Sequence, residues 1–423
     1  MLTAIRNAWA LLFGMLLLQI GNGLQSSTLG LRGDAAGFSS ATLGYVMAGY
    51  FLGFLGGTQA TPWLLRRVGH VRVFAALASL ISAAFVLFAA VVDPVAWFVL
   101  RVLVGFCISG TYVVTESWLN DSADNATRGQ TMSAYVTAQV LGIGVAQALL
   151  NGSDPNGYGL FVIMSVLVSI SFTPILLSAA PVPVFERTRR MSMKKLIEAS
   201  PLGALAMFLL GVIFACQFGM AAVYAVAKGL STSELSIFIG TIFVAAAICQ
   251  PPIGWISDRV DRRMLIVILT ATGALGCLIA PLTGGSFESM VVAAFVLGGT
   301  SNPLYSLVVA YVNDYLEPDD MASASAGLIL MNGIGAMGAP IAVGYLMDAV
   351  GNDAFFGFVG AAFAVIAGYG VWRMTQRPAP SVEATVPMVP MSPTASQVAV
   401  DAAWEVALED IETGDENPAK AQS

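Results

Sequence analysis

Long apolar stretches of about twenty residues alternate with short charged or polar words along almost the whole chain. A helix rises about 1.5 Å per residue, so each stretch has the length needed to cross a hydrocarbon layer of about 30 Å. Twelve spans are predicted, near 7–29, 40–63, 72–92, 95–118, 130–151, 157–179, 201–227, 234–256, 263–283, 288–312, 323–347 and 354–375. In lipid the backbone has to satisfy its own hydrogen bonds. The segments are too long and too evenly apolar for barrel strands, so they are read as helices.

The polar words repeat. Arg66-Arg67-Val68-Gly69-His70-Val71-Arg72 is echoed by Asp258-Arg259-Val260-Asp261-Arg262-Arg263. Tyr112 and Asn120-Asp121 are echoed at the same spacing by Tyr305 and Asn313-Asp314, Gly142-Ile143-Gly144 by Gly333-Ile334-Gly335, and Gln25 by Gln217. These matches fall at offsets of 191 to 193 residues, so the chain reads as a duplicated membrane unit. Such a duplication is the usual build of secondary transporters, whose halves rock about a shared site. The expected fold is an all-α membrane protein with twelve transmembrane helices in two pseudo-symmetric six-helix bundles.

Composition agrees: 57% of the 423 residues are hydrophobic and 11% charged, against roughly a quarter charged in soluble domains. The net charge of −7 is confined to the end of the chain. Residues 1–377 carry 18 basic and 18 acidic side chains, whereas the stretch from 378 onward carries eight acids against Lys420. The acidity therefore says nothing about a transported solute. All four cysteines (Cys107, Cys216, Cys249 and Cys277) lie in apolar spans without metal-type spacing and read as packing residues. The first thirty residues run past Gln19 and Gln25 without a small-residue cleavage site, and are taken as the first span rather than a signal peptide.

With both termini on one side, that side receives 16 of the 19 Lys and Arg residues, which marks it as cytoplasmic. The expected organisation is a six-helix bundle over 1–180, a basic cytoplasmic linker over 181–200 and a second bundle over 201–377. A largely disordered acidic tail would follow over 378–423. In the tail, Val400, Trp404, Leu408 and Ile411 share a helical face, so a docking helix is an alternative to a flexible segment.

The word Gly254-Trp-Ile-Ser-Asp258-Arg259-Val-Asp261-Arg262-Arg263 resembles the loop signature of the major facilitator superfamily. The repeat, span count and central linker agree with that resemblance, which covers about residues 5–377. It implies a secondary transporter working by alternating access and commonly coupled to protons, in which Asp258 and Arg259 brace a cytoplasmic gate. The first half departs from the pattern: Arg66 stands where the acid is expected, while Arg67, Gly69 and Arg72 are kept. Glu116 is the candidate substitute, expected to pair with Arg67, Arg72 or Arg128 when the gate is shut; the alternative is a snorkelling interfacial side chain. The word Glu116-Ser-Trp-Leu-Asn120 also resembles a poorly characterised branch of the superfamily, which names no substrate.

Arg101 is the only basic residue well inside a span, and with Gly105 and Gly110 it resembles the family's fourth-span Arg-Gly pattern. An ionised group there needs compensation from a partner, water or ligand. It is expected to face the central cavity, the alternative being a structural arginine bonded to helix carbonyls. Gln19, Asn22, Gln25, Tyr112, Gln217, Asn302, Tyr305 and Asn332 complete the candidate substrate-binding set, although buried amides also serve simply to bond helices together. The glycines around Gly333 and Gly335 are expected at rocking surfaces.

No phosphate-binding loop occurs, and the lone His70 cannot build a triad or a zinc cluster. No enzyme activity, cofactor or metal is therefore expected. The expected partners are a small-molecule substrate, a coupling proton and the lipid bilayer, with no nucleic acid; the protein is read as a monomer of a bacterial-type inner membrane. Arg101 tilts the substrate toward an anionic or polar molecule. No Asp or Glu lies near the middle of a span, so coupling by protons draws little support from the residues themselves, with Glu116 a peripheral site for one. The alternative function is a non-transporting receptor or scaffold signalling through the tail.

Overall fold

The computed structural model describes residues 2–122, 125–154, 157–177, 192–376, 388–389 and 391–400. Twelve long helices follow one another. In the first half they are α1 (Leu2–Ala35), α2 (Ser40–Val68), α3 (His70–Ala90), α4 (Pro94–Ser122), α5 (Asn125–Leu149) and α6 (Gly159–Ser171). In the second they are α7 (Pro201–Ala215), α8 (Thr232–Ser257), α9 (Arg262–Gly276), α10 (Phe287–Asn313), α11 (Pro318–Val350) and α12 (Ala354–Met374). A π turn, Cys216–Met220, carries α7 on into Ala221–Ala227. By length and apolarity eleven of the twelve qualify as membrane spans among the described residues. The exception is α2, diluted by Gly, Thr and Gln and closed by Arg66-Arg67.

That exception has a packing reason. Helices in lipid associate by close van der Waals contact, which small residues permit. Gly49, Gly53 and Gly57 of α2 lie against the backbone of α4, and Gly105 of α4 lies against Tyr50 of α2. The second half repeats the device where Gly298 of α10 meets Ile242 of α8. Large apolar side chains such as Val95, Val99, Val162 and Leu275 are left on the outside, where a bilayer would cover them.

The two bundles meet most closely at the face bearing the α1–α2 and α11–α12 connections, termed here the far face. Gly44 of α2 sits on the carbonyl of Pro340 in α11, and Gly344 on the carbonyl of Ser40. The backbone N–H groups of Ser40 and Ala41 donate to Asp348 at 3.0 and 2.9 Å, capping the start of α2 with an acid from the other half. Asn151 bonds Ser233 and Ser236 of α8 at 3.0 Å each. Within the second half, Lys228 pairs with Asp353 at 2.8 Å and Asn352 donates to the carbonyl of Ala227. The far face is thus sealed by backbone contact and by polar ties.

On the opposite, terminal face lie Gly69, the Asp258–Asp261 turn and the end of α12. Gly69 takes a positive φ of 82°, which lets α2 turn directly into α3. Most of the expected basic linker lies outside the described residues, including Arg187, Arg189 and Arg190. Its described end is a short helix, Met193–Ala199, tied to α11 by Lys195 and Asp320 at 2.7 Å. Tail residues Trp404, Leu408 and Ile411 also lie outside the described residues. The tail departs from expectation at 391–400, which is packed into the molecule with Val400 only 1% exposed.

A Cβ at Gly44 would collide with the Pro340 carbonyl, and backbone cannot step aside as a side chain can. Gly44→Val should therefore spring the far face. A cysteine at Asn22, labelled with a membrane-impermeant maleimide added from that side, is expected to react at least about tenfold faster in this variant, the factor of roughly 1.4 kcal/mol within the usual cost of overpacking.

Candidate functional site

Between the bundles lies a cavity of about 780 Å³. Its upper wall is polar. Arg101 of α4 is 2% exposed, with one Nη donating to Gln25 Oε1 at 2.9 Å and the other touching the Met47 sulfur at 3.1 Å. Its guanidinium lies over the ring of Tyr50, 4.8 Å from the centroid. Its Nε has no partner, nor has the amide nitrogen of Gln25. Tyr112 donates to Gln19 Oε1 at 2.8 Å, fixing that amide at the wall.

Of the nine residues proposed from sequence to bind substrate, Gln19, Asn22, Arg101, Tyr112, Gln217, Asn302, Tyr305 and Asn332 line the cavity together. Gln25 does not: fully buried, it stands behind Arg101 and holds it. The repeated glutamines have thus parted company. Gln217 sits on the π turn of α7, at the wall, with its Oε1 accepting from Ser301 at 2.8 Å and its Nε2 unpartnered. An extra residue in one turn breaks the register of a helix, a distortion common at functional sites; α1 runs through Gln25 without one. Asn302 bonds its own helix and Ser301, and Asn332 donates to the Met207 carbonyl at 3.3 Å, so both also tie backbone. Gly333 reaches the cavity opposite Leu55 of α2, while Gly335 packs inside the second half on the Phe208 carbonyl.

The side walls carry Phe51, Phe54, Phe214, Phe218 and Phe243. Sequence alone gave no sign of them, because an aromatic in an apolar span is equally at home facing lipid. Among the described residues that line the cavity the charged groups are Arg101 and Arg128, and none is an acid.

The gate candidates divide. In the second half Arg262 donates to Asp314 at 2.6 Å, to Asp258 at 3.1 Å and to Ser257 at 3.2 Å. The Arg262 and Asp314 side chains are each 2% exposed. Arg259 turns away instead, lying 4.2 Å over the Trp255 ring and donating to its carbonyl. Arg262 and Asp314 were missed as gate residues, although Asp314 stands in the repeated Asn-Asp word. In the first half His70 occupies the place of Arg262, 192 residues earlier. It is buried, bonded through Nε2 to Ser117 at 3.1 Å and set edge-on to Trp118. Arg67 lies over Trp63 and Arg72 is exposed at the start of α3. Glu116 is fully buried and accepts from the Tyr135 hydroxyl at 2.9 Å and from the Ser396 backbone N–H at 2.8 Å.

Two bundles around one polar, aromatic-walled cavity define a carrier of the secondary-transporter type. The Major Facilitator Superfamily model matches residues 11–203 and again 203–410, and the chain belongs to that family. It is 26% identical over 355 residues to the uncharacterized MFS-type transporter YcaD of Escherichia fergusonii, covering 83% of this chain and 91% of that one. Its likeness to the counterpart from Salmonella enteritidis is 24% over 360 residues, 84% and 93% of the two chains. Among solved structures, the nucleoside transporter NupG superposes with a TM-score of 0.69 at 14% identity, over 87% of this chain and 99% of that one. A bacterial homologue of the human lysosomal transporter Spinster, inward-facing and unoccupied, gives 0.65 at 15%, over 96% and 94%. These likenesses concern the fold. The protein is an integral membrane transporter of small molecules.

Breaking a buried ion pair from one side leaves an uncompensated charge. Asp314→Ala is expected to cost about 3 kcal/mol and Asp314→Asn distinctly less, because the amide still accepts from Arg262. The midpoint of thermal unfolding in detergent should fall in that order.

Proposed function

We propose that the protein moves an anionic or strongly polar small solute by alternating access, anchoring it on Arg101. One observation carries this reading: a guanidinium that is 2% exposed has an amide, a thioether and an aromatic face as its partners and, among the described residues, no carboxylate. Neutral partners of this kind offset only part of the cost of taking a cation out of water. A carboxylate or phosphate entering the cavity supplies the missing charge. The unpartnered donors at Arg101 Nε and Gln217 Nε2 favour a ligand rich in acceptors, and the phenylalanine walls favour one with an apolar portion.

The excess of Lys and Arg on the terminal face supports a cytoplasmic placement of both termini, in a bacterial-type inner membrane. With the far face sealed, the two bundles are then set as in an inward-facing carrier, with the tail at the terminal mouth. The chain works as a monomer, one cavity per two-bundle unit, and performs no covalent chemistry. The coupling proton rides on Glu116, the buried carboxylate beneath the cavity.

A ligand that binds the folded protein raises its stability by about 2.7 kcal/mol at a hundredfold excess over its Kd. Screening carboxylates, phosphates, cations and neutral solutes by thermal shift should give stabilisation by the anionic group, lost in Arg101→Ala and only partly restored in Arg101→Lys. Stabilisation by cations alone, unaffected by either change, contradicts the reading. Glu116→Gln is expected to abolish accumulation driven by a pH gradient in proteoliposomes while leaving solute counterflow intact. Unchanged pH-driven accumulation removes Glu116 from that role.

A further inference from the structure

On its terminal side the cavity is lined in part by the chain's own tail. Val389, Met391, Ser392, Pro393, Thr394 and Ala395 form part of the cavity lining. Met388, Met391, Ala395, Ser396 and Val400 are each less than a tenth exposed. Apolar burial alone would hold such a segment loosely, but its backbone is also bonded at three places. The N–H of Met388 donates to Asp258 Oδ1 at 2.8 Å. The N–H of Met391 donates to Ser306 Oγ at 2.8 Å, and that hydroxyl lies 3.3 Å from the Met391 carbonyl, so Ser306 serves both backbone groups of one residue. The N–H of Ser396 donates to Glu116 Oε2 at 2.8 Å.

These acceptors belong to both halves. Glu116 is on α4, Ser306 is on α10 and Asp258 caps α8. Two are carboxylates, whose bonds to N–H groups are stronger than those between neutral partners. They hold main-chain rather than side-chain groups, as in peptide recognition by exposed backbone-binding surfaces. Asp258 and Glu116 are also the acids expected from the sequence, one in each half and at non-equivalent repeat positions, to brace the terminal-face gate.

We infer that the terminal mouth of the cavity is a peptide-binding site whose ligand is the chain's own tail, residues 388–389 and 391–400, and that the bound segment holds the transporter shut. With the tail in place, a solute has no path between the cavity and the terminal face. The same segment keeps the halves apart there, so the far face cannot open until it leaves. Release of the tail then precedes each productive cycle, and anything that binds the tail outside the cavity activates the carrier. The inference does not depend on which solute is carried.

The test needs no substrate. In a background with the four cysteines replaced by serine, Val136→Cys places a thiol on the cavity wall. Its labelling rate is read with a charged, membrane-impermeant maleimide applied to inside-out vesicles. Truncation after Gln376, and separately Ser396→Pro, which deletes one N–H donor without shortening the chain, should each raise the rate by about tenfold or more. The second variant decides the matter if the truncated protein does not fold. Ser306→Cys with Met391→Cys, in the same background without Val136→Cys, should form an intramolecular disulfide on mild oxidation in native membranes. Labelling as slow with the tail released as with it in place, or no cross-link at Ser306 and Met391, overturns the inference.

Discussion

A cation buried between helices in a membrane has to be solvated by the protein or by what the protein binds, and much of this molecule is arranged around Arg101. Gly49 brings α2 up against the start of the Arg101 side chain, and Met47 of the same helix touches the guanidinium. Tyr50, one residue further, supplies an aromatic face. Gln25 is withdrawn from the cavity to hold one nitrogen, which orients the rest of the group. The far-face seal then keeps α2 and α11 together around that end of the cavity. Each element makes the charge tolerable without neutralising it, which is the condition for a site that binds a counter-ion and later lets it go.

The two halves are built alike and finished differently. Glycine-mediated contact between neighbouring helices recurs in both. At the terminal face, however, the second half has the Asp258–Arg262–Asp314 cluster, whereas the first has His70 in the matching place, bonded to Ser117. In the cavity the asymmetry is similar: among the described residues Arg101 is the one cation of the upper wall, and the π turn at Gln217 has no counterpart in α1. The bundles repeat one frame, and the departures from symmetry sit at the cavity wall and at the terminal face.

Much of this was legible in the sequence because lipid imposes strong rules. Span length, the repeat and the placement of Lys and Arg give the helices and their pairing, since a buried backbone leaves few alternatives. Polar residues in spans also announced themselves, and eight of the nine nominated for the cavity line it. What escaped was whatever depends on rotation and register. Gln25 and Gln217 are equivalent in the repeat and not in space. The phenylalanine walls look like lipid-facing residues until helix rotation is known. The tail misled for a different reason: its prolines and acids read as disorder, yet residues 391–400 contain enough apolar surface to be buried once their backbone donors meet Ser306 and Glu116. No periodicity records a match between main-chain N–H groups and acceptors far away in sequence.

The central claim is that Arg101 takes its counter-charge from the transported solute. The most direct measurement is the transient current from proteoliposomes on a solid-supported membrane during rapid concentration jumps of carboxylates, phosphates and matched cations. The account predicts currents for members of the anionic set whose amplitude saturates with concentration, and their disappearance in Arg101→Ala. Currents evoked by cations alone, or anion currents of undiminished amplitude and unchanged half-saturation in Arg101→Ala, would contradict it.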